Sequence, residues 1–163
     1  MPDQVTLRKT IEDDLPVLFA QQMDPQANFM VAFTSRDPSD REAFMAHWRK
    51  ILGDETVLVR TILYDGQVAG SVLSYLDEGK PEVGYWLGKE FWGKGIATQA
   101  LREFLAQVNT TRPIYARVAK DNPGSRRVLE KCGFVITGEV SGFARARGAE
   151  IPELLLEKSA DQV

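Results

Sequence analysis

E-V-G-Y-W-L-G-K-E-F-W-G-K-G-I-A-T-Q-A-L-R-E-F-L-A-Q-V, Glu82 to Val108, is the stretch whose reading decides the fold. It reads as a strand, a glycine turn and a helix. Glu82 to Leu87 is aromatic and aliphatic enough for a buried strand, after which Ile96, Ala97, Ala100, Leu101, Phe104, Leu105 and Val108 recur at helical spacing. Gln99, Arg102, Glu103 and Gln107 fall on the opposite, wet face. Between the two stands W-G-K-G-I-A, Trp92 to Ala97, whose glycines let main-chain N–H groups turn outward and admit a ligand with no Cβ in the way. The first N–H groups of a helix lack intrahelical partners, and the helix dipole adds about half a positive charge there, so this turn suits a phosphate or diphosphate. Lys94 adds a full charge.

Two phosphate motifs nearly fit. Gly88 to Lys94 spells G-x-x-x-x-G-K, but Gly95 follows where a P-loop requires Ser or Thr for magnesium. Gly93, Gly95 and Thr98 follow G-x-G-x-x-G except at the last position, and no Asp or Glu lies near position 115 to take a ribose hydroxyl. What remains is a strand, turn and helix offering amides to a diphosphate. W-G-K-G-I-A resembles the Q/R-x-x-G-x-G/A signature of the GNAT N-acetyltransferases, with Gly95 and Ala97 at the last two fixed positions and Trp92 standing where that family has Gln or Arg. V-G-Y-W-L-G-K-E-F-W-G-K-G-I-A-T-Q-A-L is similar to the RimJ/RimL-type branch, whose members acetylate protein N-termini, amino acids or small amines. A second motif, D-N-P-G-S-R-R-V-L-E-K-C-G-F from Asp121 to Phe134, resembles the N-x-x-S-x-x-x-L-x-K-x-G-F pattern of the same branch. Two motifs in the expected order coincide by accident far less readily than one glycine turn.

The resemblance implies a GNAT-like α+β fold: a mostly antiparallel, strongly twisted sheet of about seven strands, splayed between the fourth and fifth, with about four flanking helices. It implies acetyl-CoA as co-substrate and no metal. The coenzyme would be met by Trp86, Leu87, Trp92, Gly93, Lys94, Gly95, Ile96, Ala97, Asn122 and Ser125, with Asn122 on the pantetheine arm and Ser125 near the thioester sulfur. Asn122 before a proline is equally a good helix N-cap. The acceptor pocket would draw on Phe29, Phe33 and Tyr85. Many members of the wider superfamily place a Tyr just before E-K-x-G-F as the acid for the leaving thiolate, and Leu129 stands there instead. Ser125 is the substitute by position, although a thiol with a pKa near 8.5 can leave as thiolate unaided.

The chemistry needs a neutral amine, a polarised thioester carbonyl and tolerance of a departing thiolate. Main-chain N–H groups around Tyr85 and Trp86 would polarise the carbonyl if the strand bulges and splays. Glu82 is the candidate base, because partial burial at the head of an apolar strand would raise its pKa; the alternative is a charged residue marking the strand's wet end. Neutralising a lysine-like amine at pH 7 costs about 4.6 kcal/mol, an α-amine only about 1 kcal/mol, which favours an α-amine acceptor. Two other classes stay open: a catalytically silent acyl-CoA-binding module, favoured if Glu82 is merely wet, and a nucleotide-phosphate enzyme built on the near P-loop.

At 163 residues the chain reads as a single domain, 1–163, able to bury roughly 70% of its unfolded surface without disulfides or metal. The lone Cys132 suits a reducing compartment, and it reads as a buried helix-end thiol rather than a nucleophile. With no apolar run near 18 residues and no basic-then-apolar leader, a soluble cytoplasmic protein is expected, monomer or homodimer, without membrane contact. A net charge of −3 argues against a nucleic-acid surface.

Elsewhere, Val5 to Arg8 alternates like an edge strand, Thr10 with Asp13 suggests a capping box, and a helix should run to about Met23. Asp37-Pro38 reads as N-cap and first residue of a helix whose stripe, Phe44, Trp48 and Ile51, stops before Gly53. His47 borders that stripe as a packed or surface residue. Thr56 to Tyr64 and Gln67 to Tyr75 should form a hairpin around Asp65-Gly66. Strands are expected at Ile114 to Val118, Phe134 to Val140 and Ile151 to Glu157, with a short helix from Asn122-Pro123 to Gly133. Arg145 and Arg147 would lie over the acceptor pocket or simply in a solvated connector, and Arg126 and Arg127 would meet the adenosine 3′-phosphate or face water.

Overall fold

A computed structural model describes residues 4–24, 39–144 and 148–160. Phe29, Phe33, Arg145, Arg147 and the Asp37-Pro38 pair lie outside them. Seven strands form one sheet: β1 Val5–Lys9, β2 Leu58–Tyr64, β3 Gln67–Asp77, β4 Lys80–Leu87, β5 Ile114–Ala119, β6 Val135–Ala144 and β7 Ala149–Lys158. Their order is β1-β2-β3-β4-β5-β7-β6, and every neighbouring pair is antiparallel except β4 and β5. Four α-helices are described: α1 Leu15–Gln22, α2 Arg41–Leu52, α3 Ile96–Glu103 and α4 Pro123–Lys131. None is long and apolar enough to cross a membrane.

The helices divide between the two faces as their stripes require. Ile96, Ala97, Ala100 and Leu101 of α3, Phe104 and Leu105 just beyond it, and Leu129 of α4 pack under β3, β4, β5 and β7. Each fully buried large side chain there contributes about 1.5–3 kcal/mol. Leu15 and Leu18 of α1 and Trp48 of α2 cover the other face, against Val59 and Leu73. His47 is exposed on α2 and lines neither of the two cavities described below. Beyond Glu103 the helix widens to a π-turn, Phe104–Val108, which carries the apolar face to its end.

The hairpin around Asp65-Gly66 is present, with both residues at positive φ, and a second, Glu78-Gly79, joins β3 to β4 in the same way. Two caps differ from expectation. No capping box forms between Thr10 and Asp13: the N-cap is Ile11, whose side chain cannot accept, and only the reciprocal bond is made, by the buried Asp14. Its carboxylate accepts from the Ile11 N–H at 3.0 Å and the Thr61 hydroxyl at 2.8 Å, and Arg8 grips it with two bonds of 2.7 and 2.8 Å. Helix α2 begins at Arg41 behind Asp40, whose side chain accepts from the Ala43 N–H, rather than behind Asp37-Pro38.

Candidate active site

β4 and β5 meet at a single parallel pair, Glu82 with Tyr115, and then part. The expected bulge in β4 is absent: β4 stays in continuous register with β3, from Asp77–Lys80 to Gly70–Leu87. The gap opens on the β5 side alone, because β5 commits six successive residues to β7. Which β4 main-chain groups face the gap follows from alternation. Gly88 N–H donates to the Ala69 carbonyl at 2.8 Å, so Trp86 and Gly84, two and four residues earlier, also point at β3. Tyr85 and Leu87 therefore point into the gap, and the Leu87 carbonyl there accepts from Trp92 Nε1 at 3.0 Å. Of the two amides expected to polarise the carbonyl, only that of Tyr85 is aimed correctly; that of Trp86 belongs to the ladder.

Two adjoining cavities, each about 290 Å³, occupy the gap and share Tyr85, Asn122 and Ser125. The first runs along Trp86, Leu87, Trp92, Gly93 and Ala97 to the start of α4. At its end the glycine turn holds Gly93 and Gly95 at φ 75° and 76°, left-handed values that glycine adopts freely, and a Cβ at either would meet nothing within 4 Å. Gly95 is the N-cap residue of α3 and no side chain caps that helix, so its first-turn amides are left without a capping side chain. This cradle fits a diphosphate. Lys94 is exposed beside it, whereas the Ile96 side chain, 1% exposed, is in the core and can offer only its amide.

Asn122 caps α4, its Oδ1 accepting from the Ser125 N–H at 3.2 Å, and it lines both cavities as well. Capping and lining are thus compatible roles. The Tyr85 hydroxyl donates to Ser125 Oγ at 3.0 Å across the gap. Burial, more than anything else, pushes the Tyr85 phenol upward, so it stays protonated. Cys132 is buried, its thiol also pushed up by burial, with Sγ 3.6 Å from the Thr98 carbonyl. Arg126 is exposed and pairs with Glu130 at 3.4 Å; Arg127 is exposed.

The second cavity is lined by Glu82, Gly84, Tyr75, Arg117 and Glu153 besides the shared residues. Glu82 is no wet strand end: β4 begins two residues earlier, and Glu82 is 7% exposed. Burial raises its pKa first; Arg117 draws it back, Asp77 raises it, a hydrogen bond from Tyr75 lowers it, and Glu153 raises it. Its Oε1 lies 3.3 Å from Arg117 Nε. Tyr75, Asp77, Arg117 and Glu153 escaped the sequence reading, since they come from three other strands and share no motif; a charged residue inside a strand was the only available signal. Among the described residues no cluster of His, Cys, Asp and Glu is arranged to hold a metal.

A twisted seven-stranded sheet parted at one parallel rung, with a diphosphate cradle at the mouth of the gap, defines an acyl-coenzyme A-dependent acetyltransferase fold. The family description "Acetyltransferase (GNAT) domain" matches residues 4–135, and the chain belongs to that family. It is 35% identical over 118 residues to the putative ribosomal N-acetyltransferase YdaF of Bacillus subtilis (strain 168), a match spanning 66% of this chain and 64% of that protein. A ribosomal-protein-serine acetyltransferase of Escherichia coli (strain K12) is 37% identical over 60 residues, 35% of this chain and 34% of that one. The structure of Mycobacterium smegmatis RimJ in complex with CoA-disulfide shares the fold, with a TM-score of 0.81 over 98% of this chain and 83% of that one at 24% identity.

Proposed function

We propose that the protein transfers the acetyl group of acetyl-CoA to an α-amine, a protein N-terminus or an amino acid, by direct attack on the thioester, within the cytoplasm. The observation that carries this reading is the pair of cavities meeting at Tyr85 and Ser125, with the diphosphate cradle at the far end of one and the buried Glu82 in the other. The coenzyme's diphosphate would rest on the amides after Gly95, with its pantetheine arm along Leu87 and Asn122. The thioester oxygen would accept from the Tyr85 N–H, which the alternation of β4 points into the gap. The amine, entering over Gly84, attacks the carbonyl carbon with its lone pair and forms the C–N bond. The C–S bond then breaks, sulfur leaves with the bonding pair, and the nitrogen's surplus proton passes to Glu82. The Tyr85–Ser125 hydroxyl pair lies where it can hydrogen-bond the departing thiolate, a role the missing Tyr at Leu129 would otherwise fill.

An α-amine is the acceptor that one raised carboxylate serves most easily, since it costs about 1 kcal/mol to neutralise at pH 7 against about 4.6 for a lysine. The names of the Bacillus subtilis and Escherichia coli relatives point to a ribosomal protein as acceptor, which a protein N-terminus would satisfy. The test compares CoA release on a free-N-terminus peptide with release on its N-blocked, lysine-containing twin. Preference for the blocked peptide would defeat the α-amine assignment. Replacing Glu82→Gln should cut kcat/KM by about 10²–10³-fold; acetyl-CoA binding without any turnover on a panel of amines would point instead to a silent binding module.

A further inference from the structure

We propose that Arg117 is a positioning residue for the acceptor side: one guanidinium, divided among Asp77, Glu82 and Glu153, that keeps Glu82 a carboxylate ready to take the amine's proton. The inference rests on the reading of Glu82 as proton acceptor. Arg117 lies on β5, the strand between β4 and β7, and stands within reach of acids on both sides of the gap. Its Nε is 3.3 Å from Glu82 Oε1, its Nη2 3.3 Å from Asp77 Oδ2 and its Nη1 3.8 Å from Glu153 Oε1. The three acids come from β4, β3 and β7, and two of them, Glu82 and Glu153, have side chains only 9% and 12% exposed.

Three carboxylates gathered at one mouth repel one another, and burial penalises the charged form of the two inner ones. Without a cation Glu82 would be pushed further toward its protonated form, which cannot take the amine's proton. Tyr75, its cross-strand neighbour, supplies a hydrogen bond but no charge, and its phenol is itself pushed up to about 12, first by burial and then by Glu82. Arg117 is therefore the one cationic group among the four that act on Glu82. The manner of contact matters as much as the charge. A bidentate fork would occupy both Glu82 oxygens and leave a poor base. Here the nearest contact with Glu82 is from Nε, while Nη2 and Nη1 lie nearest Asp77 and Glu153, so the guanidinium's charge favours ionisation of Glu82 while being shared among three acids.

The test is the pH dependence of kcat/KM in the intact protein, with acetyl-CoA and a free-N-terminus peptide held the same throughout. Arg117→Met should move the acid limb upward by about one pH unit or more and regain much of its lost activity at high pH. Arg117→Lys should keep the limb nearer its wild-type place, and Asp77→Asn, which removes a like charge and frees the guanidinium for Glu82, should move it downward. Acetyl-CoA affinity by calorimetry should stay within about twofold in all three. Arg117→Met losing the same factor at every pH, with the limb unmoved, would overturn the proposal, as would an upward shift in Asp77→Asn. Glu82→Gln separates the two readings. If that variant keeps wild-type rates, Glu82 is not the base; if it is inactive while the Arg117→Met limb stays put, only the role of Arg117 falls.

Discussion

Replacing Gly95 tests the diphosphate cradle, and two substitutions there separate backbone strain from charge. Gly95 sits at φ 76° and ψ 6°, where an L-residue costs about 1–2 kcal/mol. A Cβ there meets nothing within 4 Å, so Gly95→Ala should carry that strain and no clash. For a domain of this size the strain should lower Tm by roughly 2–8 °C, with acetyl-CoA affinity falling less than tenfold. Gly95→Glu adds the same strain and a carboxylate beside the diphosphate. At about 5 Å and an effective dielectric constant between about 20 and 80, each pair of like charges costs roughly 1–3 kcal/mol. Against two diphosphate charges the penalty is about 2–6 kcal/mol, a loss of at least 30-fold in affinity. Differential scanning fluorimetry measures the strain and isothermal titration calorimetry with acetyl-CoA measures the charge. A Gly95→Glu protein with the Tm of the Ala variant and wild-type affinity would show that the diphosphate rests elsewhere.

The acceptor side has its own glycine: Gly84 lines the second cavity and a Cβ there would also meet open space, so Gly84→Val should raise KM for the amine about tenfold, leave acetyl-CoA affinity alone and, by relieving a glycine within a strand, raise Tm slightly; unchanged acceptor KM refutes it. Tyr85→Phe removes the donor to Ser125 and should lower kcat about tenfold with KM for acetyl-CoA within twofold, whereas an unchanged kcat would remove the pair from the mechanism. Asp14→Asn breaks the carboxylate's bonds from Arg8 and should cost about 1–3 kcal/mol at pH 7, measured by urea unfolding. Burial acts to raise the Asp14 pKa, but the bonds from Arg8, Ile11 and Thr61 outweigh it and hold the group below the usual carboxylate range. Its native pKa is thus lower than its unfolded one, so its contribution is complete above about pH 4 and lost as pH falls further. Wild-type Tm should then drop more steeply on acidification than the variant's, and parallel profiles would contradict the assignment.

Local features were legible where one segment determines them. Asp65-Gly66 announced its hairpin, the apolar face of α3 ran as its spacing required, and Asn122 capped α4 as an Asn before Pro should. The geometry of the glycine turn was legible because it lies within six consecutive residues, Trp92 to Ala97. What was hidden depends on register. The choice of Tyr85 over Trp86 as the inward amide follows from which β4 residue pairs with which on β3, and no residue type encodes that. The grouping of Asp77, Glu82 and Glu153 around Arg117 likewise needs four strands set side by side. The Thr10 and Asp13 cap failed for a plainer reason: three acids in a row, Glu12, Asp13 and Asp14, offered the same local pattern, and Arg8 with Thr61 selected the last.

The lone rung between Glu82 and Tyr115 divides the sheet into a four-stranded and a three-stranded panel, and the core around α3 clasps the two together. Such a joint has a closed back and an unzipped front. Any molecule lying in that front and bonding the inward amides of β4 would act as a stitch, completing with its own atoms the hydrogen bonds the polypeptide leaves out. Amide exchange along Tyr85 and Leu87 then becomes a gauge of occupancy, fast when the front is open and slowed when it is laced shut.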